Sequence, residues 1–456
     1  MLDDTRHVPD APSPGVSPAR SLREMAEADG TKHLLATFST LVGKPCAKLV
    51  PARAADMLQH EGVGFAGYAA GALGQTPRDP DVMALPDLAS YTPLPFLRPG
   101  LAMVHCDAHV EGALHPFAPR NILRAMVDRA AALGLQVQAG AEAEYFLLRR
   151  AADGSLAVAD DRDDAAQPCY DVRGVTRMFD HLAAVTEAMD EMGWEPYASD
   201  HEDGNGQFEQ NFAYSDVLTT ADRVLTLRYL IHMLAEQRGM LATFMPKPFT
   251  DRTGTGLHLH LSLWRDGSPV FPARGADRHG LGLSPEAYAF LAGVLAHAPG
   301  LHALIAPTVN SYKRTGAATT SSGATWAPPR VASYGGNDRT HLVRVPDGNR
   351  FELRGADGSA DPYLAAAAVI AAGLDGLERD LDPGAPGERD GGAALPRTLL
   401  DAVHAFENDD VLTGALDAVD PAAGVAAYYA NLKREEFYTW HNQVTPWEIE
   451  HYLTAV

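Results

Sequence analysis

Four separated stretches of the sequence carry acidic, histidine and arginine side chains in patterns that could bind a metal ion. AGAEAEYF places Glu142 and Glu144 two residues apart, and HEDGNGQFEQNF carries Glu202 and Glu209. TGTGLHLHLSLW and NRFELRG alternate polar with apolar residues, and their polar members are His258, His260, Ser262, Arg350, Glu352 and Arg354. Because neighbouring side chains on a β-strand point to opposite faces, each stretch is expected to form a strand with a polar row on one side.

These rows predict metal-dependent chemistry on a phosphate-containing substrate. Carboxylates buried together need compensating positive charge, which a bound cation supplies. Carboxylate oxygens with a single histidine suit hard divalent cations such as Mg²⁺ or Mn²⁺, and neighbouring arginines suit phosphate groups. The residue types therefore favour nucleotide chemistry at a metal site.

Composition narrows the class of protein and its partners. The chain has 456 residues, 46% of them hydrophobic, which favours two domains. Its formal net charge of −22 argues against nucleic acid or an anionic membrane as a partner. Cys46, Cys106 and Cys169 lack metal-site spacing and indicate a reducing compartment. The longest apolar run, Tyr363 to Leu374, is too short to span a bilayer, and a cytoplasmic enzyme is expected.

The hydrophobic pattern predicts helices that alternate with the polar-row strands. Residues 101–110 predict a strand, and residues 122–133 show helical spacing. Further helices are predicted over 175–189 and 220–238, and Asp361 is expected to cap another. This alternation predicts an α+β fold. Residues 1–20 are rich in proline, aspartate and serine and predict a disordered tail, and a domain boundary is predicted near residue 116.

Several motifs, in their order and spacing, resemble the glutamine synthetase family. They are EAEYF, HEDGNGQFEQNF, MPKPF followed by GTGLHLHLSL, APTVNSYKR, NDRTHLVRVP, FELR and DPYLAAA. The segments FAGYAAG, TSSGATWAP and HNQVTPWEIEHYL are most similar to the glutamate–methylamine ligases (γ-glutamylmethylamide synthetases), which are close to type III glutamine synthetases. In isolation, a glutamate pair would indicate a solvated face, and His258 with His260 would indicate core histidines. The combined match to one family outweighs those readings.

The resemblance implies an architecture and an assembly. It implies a small N-terminal β-grasp-like domain over residues 21–115 and a large catalytic domain over 116–456, with an antiparallel sheet and flanking helices. It also implies a homo-oligomer of two stacked hexameric rings, a dodecamer. Each active site would then lie between one subunit's C-terminal domain and a neighbour's N-terminal domain, with Tyr68 near the amine entrance.

The resemblance also implies a reaction and the residues that carry it. ATP would phosphorylate the γ-carboxylate of L-glutamate, with two or more Mg²⁺ or Mn²⁺ ions, and a small amine would then displace the phosphate. The implied metal ligands are Glu144, Glu202 and Glu209 near glutamate, and Glu142, His258 and Glu352 near the phosphates. The implied substrate and phosphate contacts are Arg339, Arg344, Arg354, Arg314 and Gly254, and the implied ATP contacts are His260, Ser262, Arg344 and Arg350.

Two departures from the family concern the amine. FAGYAAG has Ala66 where glutamine synthetases carry an aspartate that helps bind ammonium, and Trp326 stands nearest the position of their flap glutamate. Alanine and tryptophan can cover the apolar surface of an alkylamine, so methylamine is the predicted acceptor. Ammonia, ethylamine or a polyamine remain alternatives, as does a catalytically silent relative, and Trp326 could instead be a packing residue. The residue that deprotonates the amine is not identified.

Overall fold

The computed structural model describes residues 20–314, 329–388 and 392–455. Residues 1–19 of the predicted disordered tail lie outside the described residues, and so does Trp326. The helices are α1 Leu22–Ala28, α2 Ala55–Glu61, α3 Gly67–Ala70, α4 Pro119–Ala132, α5 Val172–Arg177, α6 Phe179–Glu191, α7 Val217–Glu236, α8 Pro285–Ala296, α9 Ala298–Ile305, α10 Pro362–Glu378, α11 Leu399–Glu407, α12 Asp410–Leu416, α13 Val425–His441 and α14 Pro446–Tyr452. The strands are β1 His33–Ser39, β2 Pro45–Pro51, β3 Val63–Phe65, β4 Val82–Pro86, β5 Thr92–Pro93, β6 Leu101–Val110, β7 Ala113–Leu114, β8 Gln136–Arg150, β9 Leu156–Val158, β10 Pro196–His201, β11 Gln207–Phe212, β12 Ser215–Asp216, β13 Leu241–Thr243, β14 Leu257–Arg265, β15 Ser268–Pro269, β16 Tyr334–Gly335, β17 Val343–Asp347 and β18 Arg350–Leu353.

The first strands of the chain form a smaller sheet with its own core. Its order is β2-β1-β6-β4-β3, with β1 and β6 parallel and the other neighbours in this order antiparallel. Leu34, Ala36 and Phe38 alternate along β1 and are all buried. This alternation places one face of the strand on the core and explains why the segment is extended.

A larger sheet of eleven strands forms the second layer of the fold. Its main order is β10-β11-β8-β14-β18-β17-β16, antiparallel except for the parallel pair β16 and β17. The alanine-rich helix α10 is almost wholly buried and packs closely on α8. A Cβ atom at Gly293 would lie 2.0 Å from the carbonyl oxygen of Ala372, so only glycine permits this close helix contact. Sheets and helices together confirm the predicted α+β fold.

A buried ion cluster joins the two sheets. Arg120, at the start of α4, donates two hydrogen bonds of 2.9 Å to Asp222 of α7. The same guanidinium contacts Asp107 of β6 and lies 2.8 Å from Asp87. The hydroxyl of Tyr363 donates to Asp222 over 2.6 Å. Three carboxylates therefore share one buried guanidinium where the smaller sheet meets the helices of the larger one.

Most predicted elements are confirmed, and one prediction about a helix is wrong. The strand over 101–110 is β6, and Asp361 caps α10 by accepting from the backbone N–H groups of Tyr363 and Leu364. The helix predicted over 175–189 is interrupted at Met178, and Phe179 is 61% exposed. The apolar spacing continues across this break, so periodicity could not reveal it.

The C-terminal segment forms two consecutive helices. These helices are α13 and α14, and none of the residues of α14 is buried. The division of the chain at residue 116 stays a prediction. No single helix of the described ranges is long and apolar enough to cross a membrane, although the bent pair α8 and α9 passes that test by length and composition.

Candidate active site

The order of strands in the large sheet brings the predicted polar rows side by side. Glu209 of β11 lies directly opposite Glu144 of β8. Glu142 of β8 lies opposite His258 of β14. In turn, His260 of β14 lies opposite Glu352 of β18. Opposed residues of an antiparallel pair project to the same face, so the four strands present one continuous row of ionisable groups.

Glu202 reaches this row from a turn, which corrects its predicted position on a strand. It follows β10 directly, and its backbone N–H donates to the carbonyl oxygen of Gln207 over 2.9 Å. The HEDGNGQ segment thus reverses direction between β10 and β11. Its glycines and asparagine favour such a turn, but the outer residues read equally well as strand.

The row divides into two groups with different charge balance. In the first, Glu144, Glu202 and Glu209 each bring a carboxylate oxygen within 4.8 Å of the others. Burial raises the pKa of both Glu202 and Glu209, and neighbouring carboxylates raise it further. Burial and the charges of nearby glutamates also raise the pKa of Asp200 to about 6. This excess of carboxylates is the donor set that a hard divalent cation fits.

The second group mixes carboxylates with imidazoles. His258 Nδ1 lies 2.9 Å from Glu142 Oε2 and 3.5 Å from Glu352 Oε1. His260 Nε2 lies 2.9 Å from Glu142 Oε1. Burial alone would raise the pKa of Glu142, but hydrogen bonds from both histidines outweigh it and hold that pKa below its ordinary value. His260, predicted as an ATP contact, therefore lies beside the predicted metal ligands.

Two of the three predicted phosphate-binding arginines converge on Glu352. Arg344 Nη1 donates to Glu352 Oε2 over 2.7 Å, and Arg354 Nη1 bonds the other oxygen, Oε1. Burial would raise the pKa of Glu352, yet the charges of His258 and Arg354 keep it low. Arg339 is exposed in the loop between β16 and β17. This end of the row therefore carries the positive charge that a polyphosphate needs.

Two residues predicted to contact glutamate pack against each other. A Cβ atom at Gly254 would lie 2.6 Å from Cγ of Arg314, so glycine is required for this approach. Arg314 is buried and donates to the carbonyl oxygen of Ala356 over 3.3 Å. Its Nη1 lies 3.7 Å from Asp357 Oδ2. A buried guanidinium beside an open glycine backbone suits an amino-acid carboxylate.

The remaining predicted residues are less closely associated with the row. Ser262 lies on the same face of β14 and accepts a hydrogen bond from Trp264 Nε1 over 3.1 Å. Arg350 is exposed and lies 3.3 Å from Asp347. Ala66 and Tyr68 are exposed at the start of α3, and within the described part of the chain no hydrogen bond, ion pair or ring contact joins them to the row.

Sequence reasoning missed the amides that border the glutamates. Gln207 donates to Glu144 Oε2 over 2.8 Å, and Asn211 donates to Glu209 Oε1 over 2.8 Å. Both residues lie two positions from Glu209, on the same face of β11. That spacing is the signal in the sequence, but it is weak because amides are not preferred metal ligands.

Comparisons with known proteins identify the family. A family model described as "Glutamine synthetase, catalytic domain" matches residues 116–452. The chain belongs to the glutamine synthetase family. It is therefore an ATP-dependent ligase, and the predicted family and enzyme class are confirmed.

Relatives within the family carry two different names. The chain is 42% identical over 436 residues to a glutamine synthetase of Rhizobium leguminosarum bv. phaseoli, covering 94% of this chain and 98% of that protein. It is 38% identical over 451 residues to a glutamate–methylamine ligase of Methyloversatilis universalis, covering 96% and 99% respectively. A solved structure described as a GmaS/ADP complex superposes with a TM-score of 0.87 at 44% identity, covering 95% of this chain and 99% of that one.

Proposed function

We propose that this chain joins L-glutamate to methylamine, using ATP, to form γ-glutamylmethylamide. The observation that carries the choice of amine is the absence of acidic residues from two sequence segments. FAGYAAG contains none, with Ala66 in place of the family's aspartate, and residues 315–328 contain none around Trp326. Ammonium is a compact cation that needs oxygen acceptors, whereas a methylamine also presents apolar surface.

The first half of the reaction follows from the ionisable row. Glu144, Glu202 and Glu209 would hold one divalent cation, and Glu142, His258 and Glu352 a second, with Mg²⁺ or Mn²⁺ as the ion. Bound cations would neutralise charge on the phosphate oxygens of ATP. The γ-carboxylate oxygen of glutamate attacks the γ-phosphorus, the bond to the β-phosphate oxygen breaks, and γ-glutamyl phosphate and ADP result.

This chain's arginines and glycine would orient the two substrates. Arg344 and Arg354 contact the carboxylate of Glu352 and would face the phosphates. Arg339 would contact them from the loop between β16 and β17. His260, Ser262 and Arg350 would line the nucleotide along β14 and β18. Arg314 would bind the α-carboxylate of glutamate beside Gly254. The amine then attacks the acyl carbon, phosphate leaves, and the amide forms.

The acceptor site would be completed by a neighbouring subunit. Ala66 and Tyr68 are exposed in a single chain, which is compatible with their covering the amine entrance of an adjacent active site. The proposed assembly is a dodecamer of two hexameric rings, and a cytoplasmic location is proposed with it. Light scattering that finds a fully active monomer would contradict this arrangement.

Ammonia-dependent glutamine synthesis is the second candidate, favoured by the name of the Rhizobium relative. The deciding experiment measures ADP release from purified protein with ATP, glutamate, Mg²⁺ and one amine at a time. Mass spectrometry of the product identifies the amide. We expect methylamine to outperform ammonium and ethylamine at equal concentrations. Equal rates with methylamine and ammonium would sink the proposal.

A variant sharpens the test of the acceptor pocket. Trp326→Ala should raise the KM for methylamine and leave the KM values of glutamate and ATP nearly unchanged, because only the amine would lose its apolar contact. One methyl group in an apolar pocket is worth about 1–3 kcal/mol, so selectivity should relax rather than vanish. Unaltered amine selectivity would make this tryptophan a packing residue.

A further inference from the structure

The Gln207 side chain lies fully buried between three parts of the candidate site. Its Oε1 atom accepts from the backbone N–H of Gly204, in the turn that follows Glu202, over 3.0 Å. Its Nε2 atom donates to Glu144 Oε2 over 2.8 Å and to the carbonyl oxygen of Gly254 over 3.0 Å. One amide thus connects the Glu202 turn, strand β8 and the loop before β14.

The partners leave no choice of orientation for this amide. The backbone N–H of Gly204 can only donate, and the carbonyl of Gly254 can only accept. The NH₂ group must therefore face Glu144, and a flipped amide would lose all three hydrogen bonds. A side chain that is locked in this way can in turn fix the carboxylate that it contacts.

The two oxygens of the Glu144 carboxylate have different surroundings: Oε2 is hydrogen-bonded, and Oε1 points into the row. Glu144 Oε2 also accepts from the backbone N–H of Gly256 over 2.8 Å. With Oε2 bonded twice, Oε1 is turned toward His258 Nε2, 3.6 Å away. Neither of these two donors carries a charge, so they orient Glu144 without cancelling its negative charge. Glu352, held by two arginines, shows the opposite arrangement.

We propose that Gln207 is a positioning residue that fixes Glu144 for binding a divalent cation and holds the Gly254 loop against the Glu202 turn. This inference rests on the proposed function, because it takes Glu144 as a metal ligand. Hydrogen-bond partners of ligating carboxylates change metal affinity by about 10–100-fold when they are removed. An effect of that size is the signature to look for.

The same strand supplies a matched control. Gln210 is also fully buried in β11, but it faces the other side of the sheet. Its amide donates to the hydroxyl of Tyr145 over 3.2 Å and accepts from Ser199 Oγ over 2.6 Å. Gln207→Met and Gln210→Met make the same substitution on the same strand, and each removes a buried amide. Only Gln207→Met removes a hydrogen bond to Glu144.

The experiment titrates Mn²⁺ into each full-length protein without substrates and follows free Mn²⁺ by electron paramagnetic resonance. We expect Gln207→Met to weaken Mn²⁺ binding about 10–100-fold and Gln210→Met to leave it near wild type. At saturating Mn²⁺, Gln207→Met should still show a raised KM for glutamate and an unchanged KM for ATP, because the Gly254 loop has lost its anchor. Thermal unfolding in EDTA reports the structural cost of each change.

Each outcome decides between distinct conclusions. Mn²⁺ affinity that is unchanged in Gln207→Met, or reduced equally in Gln210→Met, would overturn the inference alone. A wild-type protein that binds no Mn²⁺ would overturn the metal site of the proposed function and this inference with it. If Gln207→Met does not fold, Gln207→Leu and Gln210→Leu are compared in the same way, because leucine also removes the amide and adds no charge.

Discussion

Single residues in the candidate site balance charge in two different ways. Glu142 and Glu352 have histidines or arginines as partners, and their pKa values are held low despite burial. Glu202 and Glu209 have other carboxylates as their charged neighbours, Glu144 and Asp200 among them, and burial together with repulsion from these carboxylates raises their pKa values. At the end of the row with Glu142 and Glu352, nearby positive charge balances the carboxylates, which suits phosphate. At the end with Glu202 and Glu209, the negative charge is not balanced, which suits a cation.

Neutralising Glu352 tests the phosphate end of the row. Glu352→Gln keeps the shape but leaves Arg344 and Arg354 without their carboxylate, so we expect ADP release to fall at least about 100-fold through loss of preorganised charge. Glu286→Gln is the control, because Glu286 lies on α8, is half exposed and pairs with the half-exposed Arg265 at the end of β14. Near wild-type ADP release by Glu352→Gln would remove this residue from the phosphate site.

The raised pKa values of Glu202 and Glu209 predict how metal and pH act together. Both exceed the ordinary value of 4.5, so the metal-free folded protein binds more protons than the unfolded chain above that pH. Their contribution to stability must then fall as pH rises through the folded-state pKa values. A cation needs the deprotonated carboxylates, so the rise in Tm caused by Mg²⁺ should grow from pH 5 to pH 8. An Mg²⁺ effect that shrinks with pH would contradict the assignment; thermal scans with EDTA or Mg²⁺ decide it.

Secondary-structure elements behind the sheet are tied together by side chains at their ends. His297 lies at the junction of α8 and α9 and bonds Asp409, the N-cap of α12, over 2.7 Å and Asp375 of α10 over 2.9 Å. Burial would lower the pKa of His297, but the hydrogen bonds that its ring donates to both aspartate carboxylates outweigh burial and raise that pKa. One histidine ring therefore links α8, α9, α10 and α12.

The His297 link should weaken as pH rises. A histidine whose folded-state pKa is raised stabilises fully below its unfolded value of 6.5 and loses this contribution as pH rises through the folded-state pKa. His297→Gln should cost about 1–3 kcal/mol of unfolding free energy near pH 6 and less near pH 9. Urea unfolding at both pH values measures the difference. His404→Gln changes a histidine of α11 that has no such pair of aspartates among the described residues, and its cost in unfolding free energy should depend little on pH.

For the molecule as a whole, the junction between the two sheets depends on a few buried charges. Arg120 is 3% exposed and satisfies Asp87, Asp107 and Asp222 at once. Arg124 shares two of these aspartates but is 32% exposed at its side chain. The two arginines differ in burial but share aspartate partners, so comparing them tests how much the junction depends on the buried one.

Removing the buried member should be far more costly than removing the exposed one. Arg120→Met leaves three carboxylates without their shared cation, and breaking such a buried pair costs about 3–5 kcal/mol. Arg124→Met should cost about 1 kcal/mol or less, since solvent screens it. Chemical denaturation of both variants, followed by tryptophan fluorescence and circular dichroism, compares them. Equal losses would show that the junction does not rely on Arg120.

The sequence by itself determined the local features of this protein, since these depend on neighbouring residues. Alternation revealed the polar rows around Glu142, His258 and Glu352, and Asp361 before a proline marked the start of α10. Motif order identified the family.

Tertiary structure alone decided how these pieces meet. The order β11-β8-β14-β18 does not follow the chain, and its register sets which glutamate faces which histidine. The turn that carries Glu202, the interruption at Met178 and the contacts of Gln207 were likewise hidden in the sequence. Each depends on partners many residues away, and local periodicity contains no information about such partners.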